Sequence, residues 1–171
     1  MRIVPDGCND LFGALEKSLK EANKAVLKEN IQTIGLLAEA LGPAAKTLVK
    51  KLLVPSLKIL SDKQNLVRAK VLEAIGKWAE ALGPEHVITY LAMQLEIENP
   101  ELRLNSLNWI MENRLEIKKA EHASMAVPLT CCLIDKDAKV RKEAEKVIIE
   151  VMPYIGSEPF QKQCSSFKPA Q

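Results

Sequence analysis

With 171 residues, 47% of them apolar and 27% charged, the chain has the balance of a single globular domain that can bury a continuous core. Its 24 Lys and Arg against 22 Asp and Glu leave a net charge of only +2, without the basic excess that nucleic-acid binding brings. No apolar run approaches the roughly 18 residues needed to span a bilayer, and Met1 to Asp10 lack the apolar core of a signal peptide.

Apolar periodicity predicts helices over about 8–20, 23–41, 44–61, 64–82, 84–97, 100–117, 121–135 and 137–155, with a short ninth over 157–164. No strand pattern interrupts them. The stops are marked: Gly42-Pro43 and Gly83-Pro84 end the second and fourth helices, glycine taking the left-handed conformation and proline refusing continuation. Gly156 ends the eighth. Two starts are marked as well, by Asn99 before Pro100 and by Asp137 before the helix that carries Arg141. Pro55 and Pro128 fall inside predicted helices and are expected to bend them.

These helices form four copies of one pair. Leu19, Leu60, Leu95 and Leu133 open the copies at intervals of 41, 35 and 38 residues. Eight residues after each opener comes Leu27, Arg68, Arg103 or Arg141. Seven further on stand Ile34, Ile75, Ile110 and Ile148, and seven beyond those Leu41, Leu82, Ile117 and Ile155. Steps of seven hold one helix face, so each copy contains one long amphipathic helix. A helix–turn–helix unit of this length belongs to the HEAT/armadillo class, and the fold class is all-α, an α-solenoid of HEAT repeats. Residues 1–7 read as a leader. The domain covers 8–162, with repeats at about 8–42, 44–83, 84–118 and 121–156 plus the short terminal helix, and 163–171 reads as a linker. The first helix has no earlier repeat to pack against, which suggests that an N-terminal repeat is missing. The four isoleucines are expected in one buried seam, and Trp78 and Trp109 in the core.

Chemistry is hard to place on this chain. Cys131 and Cys132 are adjacent on a helix, Cys8 and Cys164 are distant, and no Cys-x-x-Cys spacing offers a zinc site. His86 and His122 are isolated. There is no phosphate loop, no His-Glu-x-x-His and no nucleophile elbow. A binding protein without cofactor or metal is expected, and not an enzyme. Asp62 and Asp135 each precede an arginine by six residues, Arg68 and Arg141. That spacing allows a ladder of aspartate–arginine pairs across repeat boundaries, or a direct contact of these arginines with a partner.

The segments Ser61 to Ala69, Glu98 to Arg103 and Ile134 to Ala144 resemble the intra-repeat turns of TOG domains. So do the Ala-Leu-Gly-Pro closures at 40–43 and 81–84 and the two tryptophans in second helices. TOG domains are the tubulin-binding modules of the microtubule polymerase family that includes the tumour-overexpressed-gene product. The order of segments is most similar to the fourth TOG domain of the array, over roughly Asp10 to Lys162. The resemblance implies a flat paddle of HEAT repeats whose intra-repeat turns bind the α/β-tubulin dimer along one edge. Carried onto this chain, the contact residues are Asn23, Lys24, Lys63, Asn65, Asn99, Lys136, Lys139, Arg141 and Lys142. Lys118 and Lys119 are expected on the opposite edge. The family usually presents an aromatic in the turn of the first repeat; this chain has no such turn. The implied partners are tubulin, the microtubule plus end and other TOG domains of the same chain. The implied location is the cytoplasm, on microtubules, spindle or centrosome. The turn lysines give the edge a basic bias suited to an acidic partner, although a solvated turn would carry lysines too. A HEAT scaffold for a phosphatase, transport or condensin-like complex is the alternative.

Overall fold

The computed structural model describes residues 8–116 and 125–165. The expectations placed on residues 1–7, on Ile117, Lys118, Lys119 and His122, and on the end of the tail lie outside them. The described residues are helical throughout with no strand, and none of their helices is long and apolar enough to cross a membrane. Two compact units divide between Val87 and Ile88, and each is described by itself.

In the first unit, α1 (Asn9–Ser18) and α2 (Lys24–Leu41) form the first pair. Asn23 starts α2 because its side-chain oxygen accepts the Ala25 amide at 2.9 Å, satisfying a donor that the first turn cannot. Gly42, at φ 57°, stops it. The chain then stays helical to Ser61 without forming the single α-helix expected over 44–61. A 3-10 segment (Gly42–Leu48), a π turn (Val49–Leu53), α3 (Val54–Leu57) and a second 3-10 segment (Lys58–Ser61) follow one another. Pro55 lacks an N–H and its ring crowds the preceding turn, so widening that turn to the π form accommodates it. α4 (Asn65–Leu82) lies along α2 and ends at Gly83, φ 95°. The approach is close: a Cβ on Gly35 would stand 3.0 Å from the Ala74 Cα. Ile34, Ile75 and Trp78 are buried here.

α5 (Pro84–Gln94) straddles the division. In the second unit α6 (Pro100–Glu112) begins at Asn99, whose side chain accepts the Leu102 amide. α7 (Ala126–Cys132) packs on α8 (Ala138–Ile155) and on α9 (Glu158–Cys164), and α8 packs on α6. Pro128 sits in the first turn of α7, where a missing N–H costs no helical bond, rather than at a bend within a longer helix. The internal proline is instead Pro153, inside α8. Asp137 caps α8 through the Lys139 amide at 2.7 Å, and Gly156 ends it at φ 90°. Ile110, Ile148 and Trp109 are buried in this unit.

Candidate functional site

Each unit sets two intra-repeat turns side by side by the same device. In the first unit Asp62 Oδ1 accepts the Gln64 amide at 2.9 Å, and Oδ2 accepts Lys24 Nζ of the preceding copy at 2.6 Å. In the second, Asp135 Oδ1 accepts the Asp137 amide at 2.7 Å, and Oδ2 accepts Nη1 of Arg103, again from the preceding copy. The arginine six residues after each aspartate reaches back to the backbone of its own loop. Arg68 Nη1 donates to the Asp62 carbonyl at 2.6 Å, and Arg141 Nη1 donates to the carbonyls of Asp135 at 2.8 Å and Lys136 at 3.0 Å. Between copies, the aspartates bond to Lys24 and Arg103, while Arg68 and Arg141 brace their own turns. Arg68 is half-buried and Arg141 is exposed. For Arg141, the expected pairing with an aspartate across a boundary gives way to these bonds to its own loop. Six residues is one loop and a first helical turn, a span that returns the guanidinium to the loop backbone.

The two pairs differ in environment. Side chains of Arg103 and Asp135 are 8% and 6% exposed, whereas those of Lys24 and Asp62 are 38% and 14% exposed. Arg103 also donates Nε to the Leu95 carbonyl at 2.8 Å, so its fork is fixed from two directions. Burial works to raise the Asp135 carboxyl, but the Asp137 amide and the Arg103 guanidinium outweigh it and hold it below the usual carboxylate range. Asp62 is held low against burial in the same way, by Lys24 and the Gln64 amide. Beside this pair, burial pushes the Cys132 thiol up to about 12, and all four cysteines are free.

The nine candidate contact residues separate into two groups. Asn23 and Asn99 are helix caps, Lys24 is tied to Asp62, Asn65 accepts from Arg68 Nη2, and Arg141 braces its loop. Lys63, Lys136, Lys139 and Lys142 are exposed, and their side chains form no hydrogen bond or ion pair among the described residues. Two clefts accompany the turns. One, about 510 Å³, lies in the first unit between Leu19, Lys24, Pro55 and Asp62; the other, about 470 Å³, lies in the second between Glu98, Arg103, Val127 and Ile134. Neither cleft is visible in the repeat pattern, because residues of two copies close each one. The signal that could have exposed the second is Ile134, an isoleucine directly after a copy's opening leucine, where the second copy has Ser61. Among the described residues no cluster of His, Cys, Asp and Glu could hold a metal ion.

The same turn-bearing helix pairs recur in known proteins. A solved structure of Crescerin, which uses a TOG domain array to regulate microtubules in the primary cilium, superposes at TM-score 0.79 with 18% identity over 97% of this chain and 73% of that one. A structure from work on TOG–tubulin binding specificity in microtubule dynamics and mitotic spindle formation superposes at TM-score 0.72 with 17% identity over 93% of this chain and 70% of that one. In sequence the chain is 31% identical over 164 residues to the MOR1 protein of Arabidopsis thaliana, across 94% of its own length. The chain is a TOG domain. As such it has the HEAT-repeat α-solenoid fold expected from its periodicity. It spans only 8% of the length of MOR1, and no protein-family model matches it.

Proposed function

We propose that this TOG domain binds the α/β-tubulin dimer through its intra-repeat turns and, within a longer protein, contributes to the control of microtubule growth. The observation that carries the reading is the pairing of turns in each unit. A carboxylate-to-cation bond ties each aspartate-bearing loop to the start of the preceding copy's second helix, and Lys63, Lys136, Lys139 and Lys142 project into solvent without partners among the described residues. Tubulin is strongly acidic, and exposed lysines on a fixed frame raise both the rate and the strength of such an encounter. The role is binding without catalysis or cofactor. It places the protein in the cytoplasm on microtubules, spindle or centrosome, with neighbouring TOG domains of one chain capturing dimers by multivalency.

The finer assignment is to the fourth TOG position of an array, with a further repeat stacked on the first pair. Its support is apolar surface on the first pair, where Leu11, Val26 and Leu36 are about half-exposed.

The test is titration of purified tubulin dimer with the chain by fluorescence anisotropy across a range of salt. Reversing Lys63, Lys136, Lys139 and Lys142 to Glu should weaken binding and flatten its salt dependence. Reversing Lys46 and Lys50, exposed and beyond the opposite end of α2, should do little. Binding that is indifferent to the first set would favour a HEAT scaffold for a different complex.

A further inference from the structure

We propose that the 470 Å³ cleft of the second unit is a bipolar clamp for one apolar side chain of tubulin, flanked on tubulin by a carboxylate and a basic group. The proposal rests on the tubulin-binding reading and names the contact that basic turns alone would not make. Val127, Cys131 and Ile134, spaced by four and three residues, continue one stripe along and beyond α7. Ile134 is 63% exposed, an unusual state for an isoleucine on a short, otherwise well-buried segment.

The other copies do not repeat this stripe. Counted from each opening leucine, the same three positions read Gly13, Lys17 and Lys20 in the first copy, Val54, Lys58 and Ser61 in the second, and Thr89, Met93 and Glu96 in the third. Only the fourth copy is apolar at all three. Repeat stacking therefore does not require the apolar stripe, since three copies stack without it.

The rest of the cleft gives the occupant its chemistry. The floor is the buried Arg103–Asp135 pair, whose charges satisfy each other and offer nothing to a ligand. The loop of the fourth copy brings Lys136 to the lining, and the loop of the third brings Glu96 and Glu98, with Ile97 exposed between them. An apolar anchor seated against Ile134 and Val127 thus meets a lysine from one loop and two glutamates from the other. Complementarity requires an acidic neighbour facing Lys136 and a Lys or Arg facing Glu96 and Glu98.

This arrangement and plain attraction to an acidic protein predict opposite signs for one substitution. The experiment measures the affinity of the chain for purified tubulin dimer with Ile134→Ser, with Ile134→Leu, and with the double variant Glu96→Lys/Glu98→Lys. Circular dichroism confirms the fold of each variant. Ile134→Ser should weaken binding by about fivefold or more, the loss expected for an anchor in a binding hot spot, while Ile134→Leu stays within about twofold of the parent. The glutamate reversal should weaken binding although it adds positive charge. Tighter binding by that double variant, or an Ile134→Ser affinity within about twofold of the parent, overturns the clamp and leaves the tubulin reading standing. A parent chain that shows no binding to tubulin overturns the tubulin reading itself, and the clamp with it.

Discussion

Replacing Arg103 by Met should destabilise the second unit by about 3–4 kcal/mol. Methionine keeps the apolar stem and removes the guanidinium, so Asp135 is left as a carboxylate only 6% exposed with its cation gone. Removing one member of a buried pair costs about 3–5 kcal/mol because the remaining charge is desolvated without compensation. Two things place this case toward the lower end. The Asp137 amide still donates to Asp135, and the positive charge of Arg141 acts on the same carboxyl. The Leu95 carbonyl also loses its donor at 2.8 Å, which adds about 1 kcal/mol. The related substitution Lys24→Met should cost no more than about 1 kcal/mol, since that side chain is 38% exposed and water already screens the pair. Urea unfolding in a Trp78→Phe background reports on the second unit through Trp109 alone. The double variant Arg103→Met/Asp135→Leu should recover part of the loss, because no buried charge remains. The sign with pH follows from the lowered Asp135 carboxyl. Its contribution is fully present above the unfolded pKa of about 3.9 and disappears as pH falls through the lower folded value. The stability gap between the parent and Asp135→Asn should therefore hold from pH 7 to about 5 and close only below about 4. Equal costs for Arg103→Met and Lys24→Met, or a gap that grows in acid, would refute the reasoning.

Truncating Ile75 or Ile110 to Ala, both essentially inaccessible to solvent, should cost about 2–5 kcal/mol in urea unfolding through lost transfer energy and a residual cavity. An unchanged midpoint for both would invalidate the repeat register. The helical glycines Gly35 and Gly76 should respond oppositely to Ala. Gly76 has nothing within 4 Å of the added methyl and should gain about 0.5–1 kcal/mol, whereas Gly35 should gain nothing or lose, its methyl meeting Ala74 backbone at 3.0 Å. Equal gains at both sites in thermal unfolding would show that α2 and α4 do not approach so closely.

Much of this molecule was legible in its sequence, because the features concerned are set within a few residues. Asn99 and Asp137 start helices with their own side chains, and Gly42, Gly83 and Gly156 stop them at positive φ, as read from the chain alone. The phase of Ile34, Ile75, Ile110 and Ile148 follows from helical periodicity, and all four are buried. The position of the basic turns followed from the same register. Missing from the sequence reading were the irregular run from Gly42 to Ser61 and the place of Pro128, where the cost of a proline depends on which backbone groups its neighbours satisfy.

Tertiary structure decided which charges meet. Both Asp62 and Asp135 precede an arginine by six residues, and sequence offered those arginines as candidate partners. Folding bends each arginine back onto its own loop carbonyls, and it also brings Lys24 and Arg103, 38 and 32 residues earlier, onto the carboxylates. A local pattern can state which residues share a face of one helix. It does not state which side chain of the preceding copy comes within 3 Å, since that distance depends on how two copies stack. The cleft lined by Val127 and Ile134 arises in the same way, from two copies brought together by the Arg103–Asp135 pair.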